Sequence, residues 1–406
     1  MTLDGWSDRV PTRSCASLRA LLFLLFQALA TVICAQASEP SAPVAPPVTS
    51  AEANVDSSAI EDADDDSALA ELSEVELADL IADEETAAFA RAGVLTDEPL
   101  PESSGMRFAD ALDDRDELWF VSARRARITP EGAAGFDVWR YLNRSWVRAG
   151  LAELHAADTS IPTCFHVHGN RVSFAQANCG GWNFYTTVTA AGCRERGPLR
   201  WVIFTWPSDR CCDVGPRKDV QIKAVRAECY GYYLAWLVDS MPADSSLSMI
   251  GYSFGTRVIG SALHLLGGGS LRGRALAERK VERRAIRTVL LAAALDNDHF
   301  APGRAMQCAP SQIDRLLIAM NCRDPALKWY ALLYKIVLRP KRGQQSLGYS
   351  GIAGLTSIPC LSGRVEHRDL TAAVGREHDA YGFRYLTPTF VERMRQYLYH
   401  EPLGAR

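Results

Sequence analysis

Residues 247–267 read LSMIGYSFGTRVIGSALHLLG, and this stretch decides the fold. Leu247 to Ile250 is a short apolar run of strand character. Val258, Ile259, Ala262 and Leu266 then recur at helical spacing. Between the two stands Gly251-Tyr252-Ser253-Phe254-Gly255. A strand that turns at once into a helix needs glycines beside the turning residue, where a side chain would meet backbone. The turn puts Ser253 in strained backbone and points its hydroxyl out of the sheet. The helix begins at the serine, so its dipole favours negative charge developing there. The functional reading is a nucleophilic serine; the bland one is a tight strand–helix turn whose serine is unused.

Working outward, short apolar runs alternate with helical stretches from residue 118, which predicts an α/β fold with a mostly parallel sheet and helices on both faces. The expected strands are 118–122, 163–167, 200–205, 246–250, 287–295, 314–320 and 365–370. The expected helices are 174–191, 220–240, 255–266, 326–336 and 388–399. No internal repeat is visible.

A serine hydroxyl is a poor nucleophile without a base, and the base needs an acid to orient it. On a strand–elbow–helix scaffold the chain order is nucleophile, acid, histidine. Five histidines follow Ser253. His264 falls in the helix after the elbow, His299 comes too early, and His400 is at the end. His367 sits inside the last expected strand. His378, in Val374-Gly375-Arg376-Glu377-His378, falls in the loop before the last helix, where the base belongs; His367 is the runner-up. For the acid, Asp324 directly follows the strand run in DRLLIAMNCRD, with Asp296 and Asp298 after VLLAAAL as the alternative. Acyl transfer also needs two donors aimed at a developing oxyanion. One is expected from the Phe254 amide. The other falls to Asn170 or Arg171, in FHVHGNR at 165–171, where Gly169 allows close backbone approach. His168 is read either as part of that loop's chemistry or as a satisfied turn residue.

With these pieces and Phe204-Thr205-Trp206-Pro207-Ser208 in place, the chain resembles the α/β-hydrolase superfamily. It is most similar to uncharacterised exported bacterial hydrolases whose pattern runs VHG, WPS, GxSxG, RDxAL. The matching residues are Val167-His168-Gly169, Trp206-Pro207-Ser208, Gly251 to Gly255 and Arg323-Asp324-Pro325-Ala326-Leu327. The resemblance spans about residues 118–400. It implies the α/β-hydrolase fold, serine hydrolase activity and Asp324 as the acid; it implies no particular substrate. The departures are Gly267-Gly268-Gly269, the cysteine-containing inserts and an acidic N-terminal arm.

The net charge of −4 over 406 residues averages two opposed parts. Residues 51–117 hold 22 acids and 3 bases, whereas residues 118–406 hold 23 acids and 38 bases. Residues 20–33 are almost wholly apolar and follow three arginines, with Ala35-Gln36-Ala37 after them. That run is shorter than the ~20 residues of a membrane span, so residues 1–37 read as a cleaved signal peptide, with an uncleaved anchor as the alternative. Residues 38–117 read as a Pro/Ala-rich, then acidic, largely disordered linker, in which 68–90 could form an amphipathic helix. Residues 118–406 are the expected catalytic domain.

Eleven cysteines occur, nine after the signal segment, so at least one is unpaired within the chain. Cys211-Cys212 are adjacent and cannot easily bridge each other. One or two disulfides are expected, with pairing open. No Cys/His cluster has zinc spacing, so no metal or other cofactor is expected. Trp182, Trp206, Trp236 and Trp329 read as core in preference to a substrate pocket.

The expected function is an exported serine hydrolase acting on carboxylic esters through Ser253, His378 and Asp324. The substrate is a small-molecule or lipid ester, which the basic domain would favour if anionic; the acidic arm could contact the same basic domain. Nucleic acid is not an expected partner, and membrane contact is expected only if the N-terminal segment stays uncleaved. The alternatives are an acyltransferase using the same residues and a non-catalytic binding or scaffold protein on the same fold. A cap over the site, in 299–312 or 337–364, stays open.

Overall fold

The computed structural model describes residues 112–189, 196–211, 216–328, 330, 345–378 and 381–402. The signal segment, residues 38–111 of the linker, the helix at 68–90, Trp329 and most of the helix at 326–336 lie outside the described residues.

In chain order the elements are β1 (Glu117–Ser122), β2 (Arg127–Thr129), β3 (Gly132–Ala134), β4 (Asp137–Leu142), β5 (Ser145–Ala149), α1 (Leu151–His155), β6 (Thr163–Val167), α2 (Phe174–Thr189), β7 (Arg200–Thr205) and α3 (Pro216–Asp239). Then follow β8 (Leu247–Tyr252), α4 (Phe254–Leu266), β9 (Ile286–Leu291), β10 (Ile313–Met320), α5 (Pro325–Lys328), α6 (Leu347–Ser350), β11 (Val365–Asp369), α7 (Thr371–Val374) and α8 (Pro388–Leu398). Among the described residues nine strands form one sheet, in the order β11-β10-β9-β8-β6-β7-β1-β4-β5. All neighbouring pairs from β11 to β1 are parallel; β4 and β5 close the sheet antiparallel. This is an α/β fold built on a mostly parallel sheet with helices around it.

The apolar runs explain the layering. Every residue of β6, β7 and β8 is buried, as strands covered on both faces require. Helix α3 packs along α4, α2 lies on β7, and α8 lies against α2, β8 and β9. Strand β8 sits between β6 and β9, so its carboxyl end emerges in the middle of the parallel run. Loops at that end meet around one point, where open α/β sheets hold their ligands.

Two differences from the sequence reading have local causes. Strands β2 to β5 occupy a stretch in which no strand was expected. The β4–β5 turn is Asn143-Arg144 with both φ positive, 49° and 65°, so an arginine stands where a hairpin of this kind most often carries glycine. Strand β9 ends at Leu291 instead of 295, because Ala292 turns to a φ of 46° and leaves the ladder. Among the described cysteines, Cys179 is disulfide-bonded, whereas Cys164, Cys211, Cys229, Cys308, Cys322 and Cys360 are not.

Candidate active site

Ser253 stands between β8 and α4 with φ 51° and ψ −117°. A non-glycine residue in such backbone costs on the order of 1–3 kcal/mol and persists only where its surroundings hold it. Backbone hydrogen bonds do so, with the Thr256 hydroxyl also donating to Ser253 O. The Ser253 amide donates to Leu291 O at 2.9 Å, and its carbonyl accepts from the amides of Thr256 at 3.1 Å and Ala294 at 3.3 Å. The flanking glycines are required sterically: a Cβ on Gly255 would lie 2.1 Å from Val167 O, and one on Gly251 would lie 2.9 Å from Gly255 C. The elbow is pressed against the end of β6, which starts the Gly169 loop.

Two further side chains complete a row. His378 Nε2 lies 3.1 Å from Ser253 Oγ, and His378 Nδ1 lies 2.6 Å from Asp324 Oδ2. Asp324 is fully buried and caps α5, its Oδ1 accepting from the amides of Ala326 at 2.9 Å and Leu327 at 3.3 Å. Each carboxylate oxygen therefore has its own task. Because an ionised carboxylate only accepts, Nδ1 carries the imidazole proton and Nε2 is left to accept from the serine hydroxyl. The imidazole also rests against the Tyr252 ring, at 5.4 Å between centroids and 32° between planes.

The loop after β6 runs beside the serine. A Cβ on Gly169 would lie 3.2 Å from Ser253 Cβ and 3.2 Å from Tyr252 Cδ1. Of the two amides left open by the sequence, that of Arg171 is occupied, donating to Ser208 O at 2.7 Å. The Asn170 amide meets no acceptor among the described residues.

A directed chain of hydrogen bonds sets the peptide that bears this amide. Arg124 Nε donates to Thr205 Oγ1 at 3.0 Å, and the Thr205 hydroxyl lies 2.8 Å from His168 Nε2. His168 Nδ1 lies 2.9 Å from Gly169 O. Burial, and then the Arg124 charge, hold the His168 imidazole well below its ordinary range, so it stays neutral. A carbonyl can only accept, so Nδ1 is the protonated nitrogen and Nε2 accepts from threonine. Holding Gly169 O toward the His168 ring turns the Asn170 N–H of the same trans peptide the opposite way. Trp206 stacks on His168 at 5.9 Å and 8°, and its Nε1 donates to His168 O at 3.1 Å. Ser208 Oγ accepts from the Val172 amide at 3.1 Å and donates to Val172 O at 3.0 Å. The HGN and WPS segments thus form one hydrogen-bonded unit.

The other candidates lie elsewhere. Asp296 pairs with His299 Nε2 at 2.9 Å, and Asp298 with Arg304 at 2.7 Å; neither is the partner of His378. Burial raises the Asp296 carboxyl, but the His299 bond and charge, with Arg257, outweigh it and hold the group at about 2. His367 is exposed on β11, and its Nε2 accepts from the Ile352 amide. His264 is buried between the Cys308 amide and Ser270 O, and His400 meets Leu247 O. Trp182 belongs to an aromatic cluster with Tyr141 and Trp146, and Trp206 to the loop unit above. The sequence reading missed Arg124 and Thr205. Only the adjacency of Thr205 to Trp206-Pro207-Ser208 hinted at a role, since a lone buried threonine has no signature.

Among the described residues no group of three or more His, Cys, Asp or Glu side chains could hold a metal ion, and no helix is long and apolar enough to cross a membrane. No family model matches this chain, and no curated protein matches it.

Proposed function

We propose that this chain is an exported serine hydrolase of the α/β-hydrolase type, cleaving carboxylic esters through an acyl-enzyme. The observation that carries the reading is the Ser253–His378–Asp324 row, at 3.1 and 2.6 Å, on a positive-φ serine at a strand–helix elbow. Three chemical requirements meet there: a strained exposable hydroxyl, a base with its lone pair toward it, and a buried acid that fixes the tautomer.

Ser253 Oγ attacks the ester carbonyl while its proton passes to His378 Nε2. Asp324 stabilises the resulting imidazolium through Nδ1–H. The carbonyl oxygen, now an oxyanion, is met by the amides of Phe254 and Asn170, the latter turned outward by the His168 contact to Gly169 O. His378 then gives its proton to the leaving alcohol. Water, activated by the same nitrogen, releases the acid and restores Ser253. The N-terminal end of α4 favours the charge at each tetrahedral stage.

A fluorophosphonate probe together with a panel of p-nitrophenyl esters of increasing acyl length tests the reading. Covalent labelling and turnover are expected in the wild type, and both are lost in Ser253→Ala. A folded wild type that neither labels nor turns over any ester would sink the proposal and favour a binding protein on the same fold.

A further inference from the structure

We propose that Cys211 and Lys223 are a modification site, at which peroxide joins the two side chains through a sulfur–nitrogen bond. The inference does not depend on the hydrolytic reading.

Four groups meet behind the loop that carries Asn170. Lys223 Nζ donates to Cys211 Sγ at 2.9 Å and to Asp219 Oδ1 at 3.2 Å, the lysine and the carboxylate lying one turn apart on α3 and both fully buried. Asp219 Oδ1 also accepts from the Cys211 amide at 2.9 Å, which holds the cysteine backbone over the amine. On the far side Arg171 Nε donates to Asp219 Oδ2 at 3.2 Å. Two cations thus share one carboxylate. The group that can take up the second negative charge is the thiol, already the acceptor of an ammonium N–H. Cys211 is buried at 7% exposure, next to the exposed Asp209 and Arg210, a position just beneath the surface that favours a small oxidant over a protein thiol.

The chemistry balances with hydrogen peroxide as the oxidant. The Cys211 thiolate attacks one peroxide oxygen; the O–O bond breaks, hydroxide leaves and Cys211 becomes a sulfenic acid. That hydroxide takes one ammonium proton of Lys223 and becomes water. The freed lone pair attacks sulfur, the S–N bond forms and the S–OH bond breaks. The departing hydroxyl takes a second nitrogen proton and leaves as water, and the third proton stays on nitrogen. Sulfur has lost two electrons and peroxide has gained them. A thiol reductant reverses the link. With no other cysteine needed, the reaction is intramolecular and insensitive to protein concentration.

The full chain is treated with hydrogen peroxide, digested without reduction and analysed by mass spectrometry. The expected product joins the Cys211 and Lys223 peptides, is two hydrogens lighter than their sum, and is released by dithiothreitol. It is absent in Cys211→Ser and in Lys223→Met. Wild-type protein unfolded in urea before the peroxide gives no link, which ties the product to the folded geometry even if a variant folds poorly. Two results overturn the proposal: Cys211 stays free to react with iodoacetamide after peroxide, or it proceeds to sulfinic acid with Lys223 unmodified.

Discussion

Asp324→Asn is the substitution whose consequence the geometry dictates most closely. The amides of Ala326 and Leu327 both point at Oδ1 of residue 324, at 2.9 and 3.3 Å, in a fully buried site. An asparagine there must turn its oxygen toward them. The reversed rotamer would set an NH2 against two N–H groups and leave both unpaired, at about 1–3 kcal/mol each. The amide NH2 therefore occupies the place of Oδ2, 2.6 Å from His378 Nδ1 in the native protein. That nitrogen must then accept, and the imidazole proton moves to Nε2, facing Ser253 Oγ. A serine that receives a hydrogen bond from the imidazole has lost its base. The expected fall in kcat/KM for p-nitrophenyl butyrate is ~10⁴, or about 5.5 kcal/mol of transition-state stabilisation. Folding changes little, since asparagine caps a helix about as well as aspartate, and Tm should stay within about 4 °C. Asp324→Ala separates the two effects: it orphans both amides and lowers Tm as well as activity. Activity of the asparagine variant within tenfold of wild type would show that Asp324 does not govern the tautomer of His378.

Three further outcomes follow from named contacts. His168→Phe removes the donor to Gly169 O and is expected to lower kcat by ~10²–10³ with KM nearly unchanged, as loss of one oxyanion donor does; an unchanged kcat in steady-state kinetics would count against Asn170 as that donor. His166, buried in β6 against Trp201 at 5.5 Å, is held by burial at about 3. Its unfolded counterpart binds a proton below about pH 6.5 and the folded chain does not, so stability is complete above that pH and declines toward pH 3 by about 1.4 kcal/mol per unit. Urea titrations at several pH values should show a slope smaller by one proton in His166→Phe; equal slopes would contradict it. Gly255→Ala places a methyl 2.1 Å from Val167 O, backbone that cannot yield, so soluble folded protein is expected to be lost; normal yield and Tm would show that the elbow is looser than described.

Much of the parallel sheet was legible because its signals are contiguous. Strands at 163–167 and 200–205 fall where the sequence places them, since a strand buried on both faces reads as a short, mostly apolar run, broken in the first only by Thr163 and His166. The antiparallel edge was not legible. Strands β4 and β5 expose a mixture, Leu142 and Val147 beside Ser145 and Arg148, so no clean alternation marks them, and they turn on Asn143-Arg144, whose positive φ values are imposed by pairing rather than announced by a glycine.

The same division runs through the site. Gly251 to Gly255 is legible as a string: the strained serine, its two glycines and the helix start fall within five positions of chain, although the atoms that exclude a Cβ at Gly255, Val167 O and His168 O, belong to the end of β6 and its loop. Which carboxylate stands beside His378 is another matter. Asp324, Asp296 and Asp298 all follow strands of one sheet, and local pattern treats them alike. Strand order and the cap on α5 bring Asp324 to 2.6 Å from the imidazole and commit Asp296 to His299. Likewise the bonds from the Arg171 amide to Ser208 O and Asn170 Oδ1, with the His168 contact to Gly169 O, single out the Asn170 amide as the one that faces away from the His168 ring. The elbow was legible from the chain alone, because its glycines, its serine and the helix that follows are contiguous in sequence. Its partners were decided by tertiary structure, because hydrogen bonds act between atoms that only folding brings within 3 Å or so of each other.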